Sequence, residues 1–187
     1  MSNIAIFGDS IAFGLNDEDG GWVERLRRYF HVADKKYEIN NFSVSGDDTE
    51  ELLKRFKTEC SISKTDQIIF AVGINDSLYI SFEEFKRNLE ILIDQAKKFT
   101  KDIVFIGLTP VDESKVAPIP WNAEFSYNNK NIRKFNDAIK DIAKKNKLKF
   151  IDTLDRLNKD DLDDGLHPNS IGHQKMFEVI KDNIRFK

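Results

Sequence analysis

Short apolar runs alternate along this chain with apolar positions at helical spacing. Ile4 to Phe7 is an unbroken apolar run closed by Gly8, and it predicts a first strand. A helix is predicted from about Trp22 to Phe30, a weaker strand from Tyr37 to Phe42 and a helix from Thr49 to Phe56. Gln67 to Val72 predicts a buried strand, again ended by a glycine, Gly73. The long helix after it has good start signals. Ser81 and Glu84 have capping-box spacing, and Phe85, Leu89, Leu92, Ile93 and Ala96 share one helical face. Ile103 to Ile106 predicts a fourth strand ending at Gly107. Ile132, Phe135, Ile139 and Ile142 mark a further helix, and Leu148 to Ile151 a short fifth strand. The last helix is predicted to begin near Pro168, because proline suits a first helical position.

Strand and helix in alternation predict an α/β fold: a parallel five-stranded sheet, right-handed crossovers and helices on both faces, a three-layer sandwich. The length of 187 residues fits a single domain over 1–187. Such sheets place their sites beyond the carboxyl ends of the strands, at a switch in strand order.

Composition narrows the function. Apolar residues make up 40% and charged residues 33%, ordinary for a soluble globular chain. A net charge of −3 offers no basic surface for nucleic acid or an acidic membrane, so neither is expected as a partner. The one cysteine, Cys60, excludes an internal disulfide and reads as a small buried side chain. No apolar run reaches the roughly 20 residues that span a bilayer. Met1-Ser2-Asn3 leads directly into the first apolar run, with no basic segment or cleavage site, so a cytoplasmic location is expected.

Four polar segments lie where the fold would gather them. Gly8-Asp9-Ser10 follows the first strand, Ser43-Val44-Ser45-Gly46 the second and Gly73-Ile74-Asn75-Asp76 the third. Asp164-Gly165-Leu166-His167 precedes the last helix. Together they supply a hydroxyl, a glycine amide, a side-chain amide and an imidazole with a carboxylate, the parts of an acyl-transfer site. A serine hydroxyl is a weak nucleophile until a base takes its proton, and His167 is the natural base. Asp164, three residues earlier, could hold the imidazole in one tautomer and stabilise the imidazolium. The Ser10 amide, the Gly46 amide and the Asn75 NH₂ could receive the oxyanion. Each segment also has a plainer reading, as turn or cap chemistry.

These segments resemble the SGNH hydrolases, also called GDSL esterases and lipases. Gly8-Asp9-Ser10-Ile11 is similar to that family's first block, with Ile11 where leucine is usual. Asn41 to Thr49 resembles the second block, Gly73 to Asp76 the third, and Asp164 to Asn169, with Ile171-Gly172-His173, the fifth. The resemblance implies a flavodoxin-like sheet. It implies Ser10 as nucleophile, His167 as base with Asp164 behind it, and Gly46, Asn75 and the Ser10 amide as oxyanion donors. It implies no metal and no cofactor. The larger α/β-hydrolases share the order Ser, Asp, His but carry a central Gly-x-Ser-x-Gly elbow. Here the serine is the tenth residue, and Ala12 replaces the second elbow glycine.

The stretch from Pro110 to Asn129 is long for a connection, and its Trp121, Phe125 and Tyr127 are candidates for lining the acyl or leaving-group pocket. Pinning the loop is the competing reading. Asp9 and Asp76 read as loop-holding residues, His31 as surface, and His173 as a helix residue with a satisfied ring. The acidic run Asp160, Asp161, Asp163 and Asp164 lacks the spacing of an EF-hand and reads, Asp164 apart, as a solvated loop. The expected activity is hydrolysis of a small acyl ester; a thioester, a lysophospholipid or an acetylated sugar remains open, as does a homo-oligomer. A silent binding module of the same fold is the alternative outside enzymes. A phospho-receiver domain is disfavoured, since no lysine follows Phe150-Ile151-Asp152-Thr153.

Overall fold

The structure is a computed structural model that describes residues 2–33, 37–62 and 64–184. Five parallel strands form one sheet in the order β2-β1-β3-β4-β5. They are β1 Ser2–Gly8, β2 Tyr37–Asn41, β3 Gln67–Ala71, β4 Ile103–Ile106 and β5 Lys149–Ile151. The α-helices are α1 Ser10–Phe13, α2 Gly21–Val32, α3 Thr49–Ile62, α4 Asp76–Tyr79, α5 Phe82–Ala96, α6 Glu113–Val116, α7 Asn129–Lys145 and α8 Ser170–Asn183. Packing of α2 on α8, and of α3 on α5 and α5 on α7, makes the two helical layers.

The apolar runs become strands because the sheet is covered on both faces, which removes any need for polar alternation. Ile4 to Phe7, Ile68 to Phe70 and Ile103 to Ile106 are all buried. The helices bury single stripes. In α5 these are Phe85, Leu89, Leu92, Ile93 and Ala96, the face predicted from spacing. The Ser81 hydroxyl starts that helix by accepting from the Glu84 amide. Each buried Leu or Ile contributes about 1.5–3 kcal/mol relative to exposure. Phenylalanines join the layers: Phe7 meets Phe56 edge-on at 4.9 Å, and Phe70 lies 5.2 Å from Phe105. Cys60 is buried in this core.

Most boundaries shift by a residue or two, and two of the differences have a clear physical cause. The helix predicted over Thr49 to Phe56 continues to Ile62, carried by the buried Cys60 on the same face. The last helix begins at Ser170 rather than at Pro168. Asn169 caps it by accepting from the Gly172 amide, while Pro168 is held outside in a bridge with Leu162. Among the described residues no helix is long and apolar enough to cross a membrane.

The chain runs from β1 outward to β2 and returns on the other side of β1 to β3, so the order switches at β1. Gly8 pairs with Ala71 at the carboxyl ends of β1 and β3. A Cβ at position 8 would lie 2.6 Å from both the Ala12 Cβ and the Ala71 carbonyl oxygen. Only glycine lets the chain turn that tightly from β1 into α1. The turn places Ser10 beside the segment that carries Asn75.

Candidate active site

Ser10 is the first residue of α1. Asp9 caps the helix, its carboxylate accepting from the Ile11 amide at 3.0 Å. A first-turn amide has no intrahelical acceptor, so the Ser10 N–H stays available at the strand end.

His167 comes from the other end of the chain, on a loop knitted from several sides. The Asp163 amide donates to the His167 carbonyl at 2.8 Å, and the Asn169 amide to the Asp161 carbonyl at 2.9 Å. The Asp112 amide donates to the Gly165 carbonyl at 2.8 Å, and Lys115 Nζ to the Asp163 carbonyl at 3.0 Å. The Ser10 Oγ and His167 Nε2 are 2.9 Å apart, and both residues are buried. His167 Nδ1 is 2.7 Å from Asp164 Oδ2. A carboxylate accepts only, so Nδ1 carries the proton, Nε2 is the acceptor and the Ser10 hydroxyl donates to it.

Asp164 also accepts from the backbone amides of His167 at 2.8 Å and Leu166 at 2.9 Å, and from Asn16 Nδ2 at 3.1 Å. Burial works against its charge. The His167 ring and these amides outweigh burial and hold the carboxyl well below the usual carboxylate range.

Gly46 lies in a Val44–Asp47 turn, with φ +88° and open space where a Cβ would stand. Its neighbour Asp47 is tethered to Arg55, whose Nε donates to the Asp47 carboxylate at 2.7 Å and whose Nη1 donates to the Phe42 carbonyl at 2.7 Å. Asn75 is buried in the turn after β3, immediately before α4. Its Nδ2 donates to the Asp47 carbonyl at 2.9 Å, and its Oδ1 accepts from the Tyr127 hydroxyl at 3.0 Å. The segments carrying Gly46 and Asn75 are therefore joined directly. Asp76, next in the chain, accepts from the Thr49 amide and hydroxyl and holds the start of α3, a loop-holding role as expected.

The aromatic residues of the long loop have different surroundings. Trp121 is 58% exposed, Phe125 packs edge-on against Tyr79 at 5.0 Å, and Tyr127 is only 2% exposed. Burial pushes the Tyr127 phenol far up, so it remains a donor at any working pH.

Two sequence expectations are corrected here. Asp161 is buried rather than solvated. It accepts from Lys175 Nζ at 2.7 Å and from the Asn158 amide at 2.9 Å, pinning the His167 loop to α8. His173 lies in α8 as expected, but its ring is wholly buried and neither nitrogen makes a hydrogen bond of good geometry. Burial presses its pKa down to about 4, which leaves the ring neutral. Among the described residues no group of three or more His, Cys, Asp or Glu side chains gathers as a metal site.

A hydroxyl, an imidazole and a carboxylate in one hydrogen-bonded line, at the carboxyl edge of a parallel sheet, form the equipment of an acyl-transfer hydrolase. Residues 6–175 match the GDSL-like Lipase/Acylhydrolase family, and the chain belongs to that family. It is a carboxylic ester hydrolase of the GDSL type. The uncharacterized protein YpmR of Bacillus subtilis is 24% identical, over 95% of this chain and 81% of the relative. The acetylxylan esterase Axe2 of Geobacillus stearothermophilus superposes with a TM-score of 0.82 at 18% identity, covering 100% of this chain and 95% of that one. A solved structure of TesA gives a TM-score of 0.80 at 21% identity, with 97% of each chain covered. Variants of Axe2 at a serine, an aspartate and a histidine are described as catalytic mutants.

Proposed function

We propose that the chain hydrolyses a small acyl ester through an acyl-enzyme on Ser10. The observation that carries this reading is the unbroken line from the Ser10 Oγ through His167 to Asp164. As Ser10 attacks the carbonyl carbon, its proton passes to His167 Nε2, and the Asp164 carboxylate stabilises the imidazolium. The oxyanion is received by the Ser10 amide, the Gly46 amide and the Asn75 NH₂. His167 then gives the proton to the leaving alcohol. A water, deprotonated by the same ring, cleaves the acyl-enzyme to release the acid and restore Ser10. Serine, imidazole, carboxylate and water complete the reaction.

An acyl thioester, a lysophospholipid and an acetylated carbohydrate would each satisfy the same steps. Trp121 and Phe125 bear on the choice. They stand on the long loop after β4, at the edge of the sheet that holds Ser10, and are assigned to the acyl or leaving-group side. Trp121→Ala should change the preference among acyl lengths without changing stability; an unchanged preference would remove the assignment.

The main test is hydrolysis of p-nitrophenyl esters from acetate to palmitate, with Ser10→Ala beside the wild type. Turnover should fall by several orders of magnitude in the variant while its thermal midpoint holds. A variant as active as the wild type would end the serine mechanism.

A further inference from the structure

We propose that Tyr127 is a positioning residue for the oxyanion donor Asn75, holding the side-chain amide in the one orientation that presents a free N–H to the substrate. The inference rests on the reading of Asn75 as an oxyanion donor.

An asparagine amide has an acceptor end and a donor end of nearly equal shape, and a hydrogen-bond donor is useful in an oxyanion hole only if the NH₂ end faces it. Two neighbours decide the matter here. The Asp47 carbonyl can only accept, so the end of Asn75 that faces it at 2.9 Å must be the NH₂. That leaves Oδ1 on the opposite side, where the Tyr127 hydroxyl meets it at 3.0 Å. One hydrogen of the NH₂ is used by Asp47; the second is left for a ligand. Without the hydroxyl, the buried Oδ1 would lose its partner, and the amide would be held from one side only.

Tyr127 is well placed for this task. It is among the largest fully buried side chains, so its ring is fixed by packing. Its backbone is fixed too. The Tyr127 amide donates to the Val116 carbonyl at 3.1 Å, and the next residue, Asn128, caps α7 by accepting from the Asn131 amide at 2.8 Å. Asn131 reaches back and donates its side-chain NH₂ to the Ser77 carbonyl in α4, two residues beyond Asn75. The start of α7 and the Asn75 segment thus form one braced unit. The phenol is held protonated by burial, so it donates throughout the working pH range.

The test is a double-mutant cycle between Tyr127→Phe and Asn75→Ala, read as kcat and KM on one p-nitrophenyl ester. Asn75→Ala should lower kcat by roughly 10²–10³, the cost of one oxyanion donor. Tyr127→Phe keeps the ring and should lower kcat roughly tenfold, the scale of one lost hydrogen bond, with KM within about twofold. The double variant should be no slower than Asn75→Ala alone, because Tyr127 acts only through that amide. Tyr127→Leu, a second hydroxyl-free variant, should reproduce the kcat loss, and thermal midpoints check that each variant is folded. A Tyr127→Phe enzyme with wild-type kcat, or losses that multiply in the double variant, would overturn this inference alone. An unchanged kcat in Asn75→Ala would overturn both this inference and the role given to Asn75.

Discussion

Asp164 holds His167 twice, through the ring Nδ1 at 2.7 Å and through the backbone amide at 2.8 Å. One carboxylate therefore sets both the tautomer of the imidazole and the turn that carries it. The two duties can be separated. Asp164→Asn keeps an oxygen for the Leu166 and His167 amides but loses the charge and the acceptor for Nδ1–H. It should lower kcat on the order of 10³–10⁴-fold with little loss of stability. Asp164→Ala should lose as much activity and also about 1–2 kcal/mol of stability, the scale of a lost capping side chain. Ester turnover and urea unfolding on the same preparations distinguish the two.

Asn16 donates to the same Asp164 oxygen that accepts from the His167 ring, and does so from a left-handed backbone with φ +64°. Asn16→Ala should lose a few-fold in kcat and about 1 kcal/mol in stability, since alanine tolerates that backbone less well. Asn16→Gly should show the same kcat loss with the backbone strain relieved. Equal kcat in both variants and the wild type would show that the Asn16 bond does not orient Asp164.

A methyl group at Gly46 would meet nothing within 4 Å, so the structural cost of Gly46→Ala is confined to its φ of +88°. That cost is about 1–2 kcal/mol. On the proposed mechanism the new Cβ would crowd the Gly46 amide that receives the oxyanion. Turnover should therefore fall by more than tenfold in a protein that is still folded. Unchanged kcat in the folded variant would remove the Gly46 amide from the oxyanion hole.

Burial lifts the Asp9 carboxyl to about 7 from an ordinary value of 3.8, with the Ile11 amide only partly offsetting it. The sign follows directly. Below pH 4 the group is protonated in both folded and unfolded chains. Between about 4 and 7 the unfolded chain releases the proton first, so stability falls as pH rises, and above 7 the difference is constant. Asp76 behaves alike, lifted to about 7 by burial, while His173, depressed to about 4, opposes the trend below its ordinary range. The contribution of Asp9 is isolated by difference. Asparagine is an equally good cap, so Asp9→Asn should gain stability relative to the wild type as pH rises from 4 to 7. Urea midpoints at pH 4, 5.5, 7 and 8.5 measure it, and a pH-independent difference would contradict the assignment.

The parts of this molecule that were legible in its sequence share a physical cause. Buried parallel strands are continuous apolar runs, so β1, β3 and β4 stood out, and the glycines ending them marked the edge where polar residues gather. Asp164 and His167 were readable as a pair because their contact is local. The contacts that escaped are long-range pairings of side chains. Tyr127 and Asn75 are 52 positions apart, and Asn16 and Asp164 are 148 apart. No periodicity links such residues, and a buried tyrosine looks the same in a sequence whether its hydroxyl faces a substrate or an amide. Pro168 misled for a related reason. Its preference for a first helical turn was overruled by the bridge to Leu162, and Asn169, a strong cap residue, was the better signal.

Ser10 and His167, proposed as nucleophile and base, lie 157 positions apart in the chain. During synthesis Ser10 leaves the ribosome well before His167, so for that interval a growing chain would carry the proposed nucleophile without the group proposed to arm it. On the proposed mechanism, hydrolytic power would require α8 to pack against α2 and the His167 loop to reach Ser10. A ribosome stalled before that point would display an inert fragment, not a half-active enzyme.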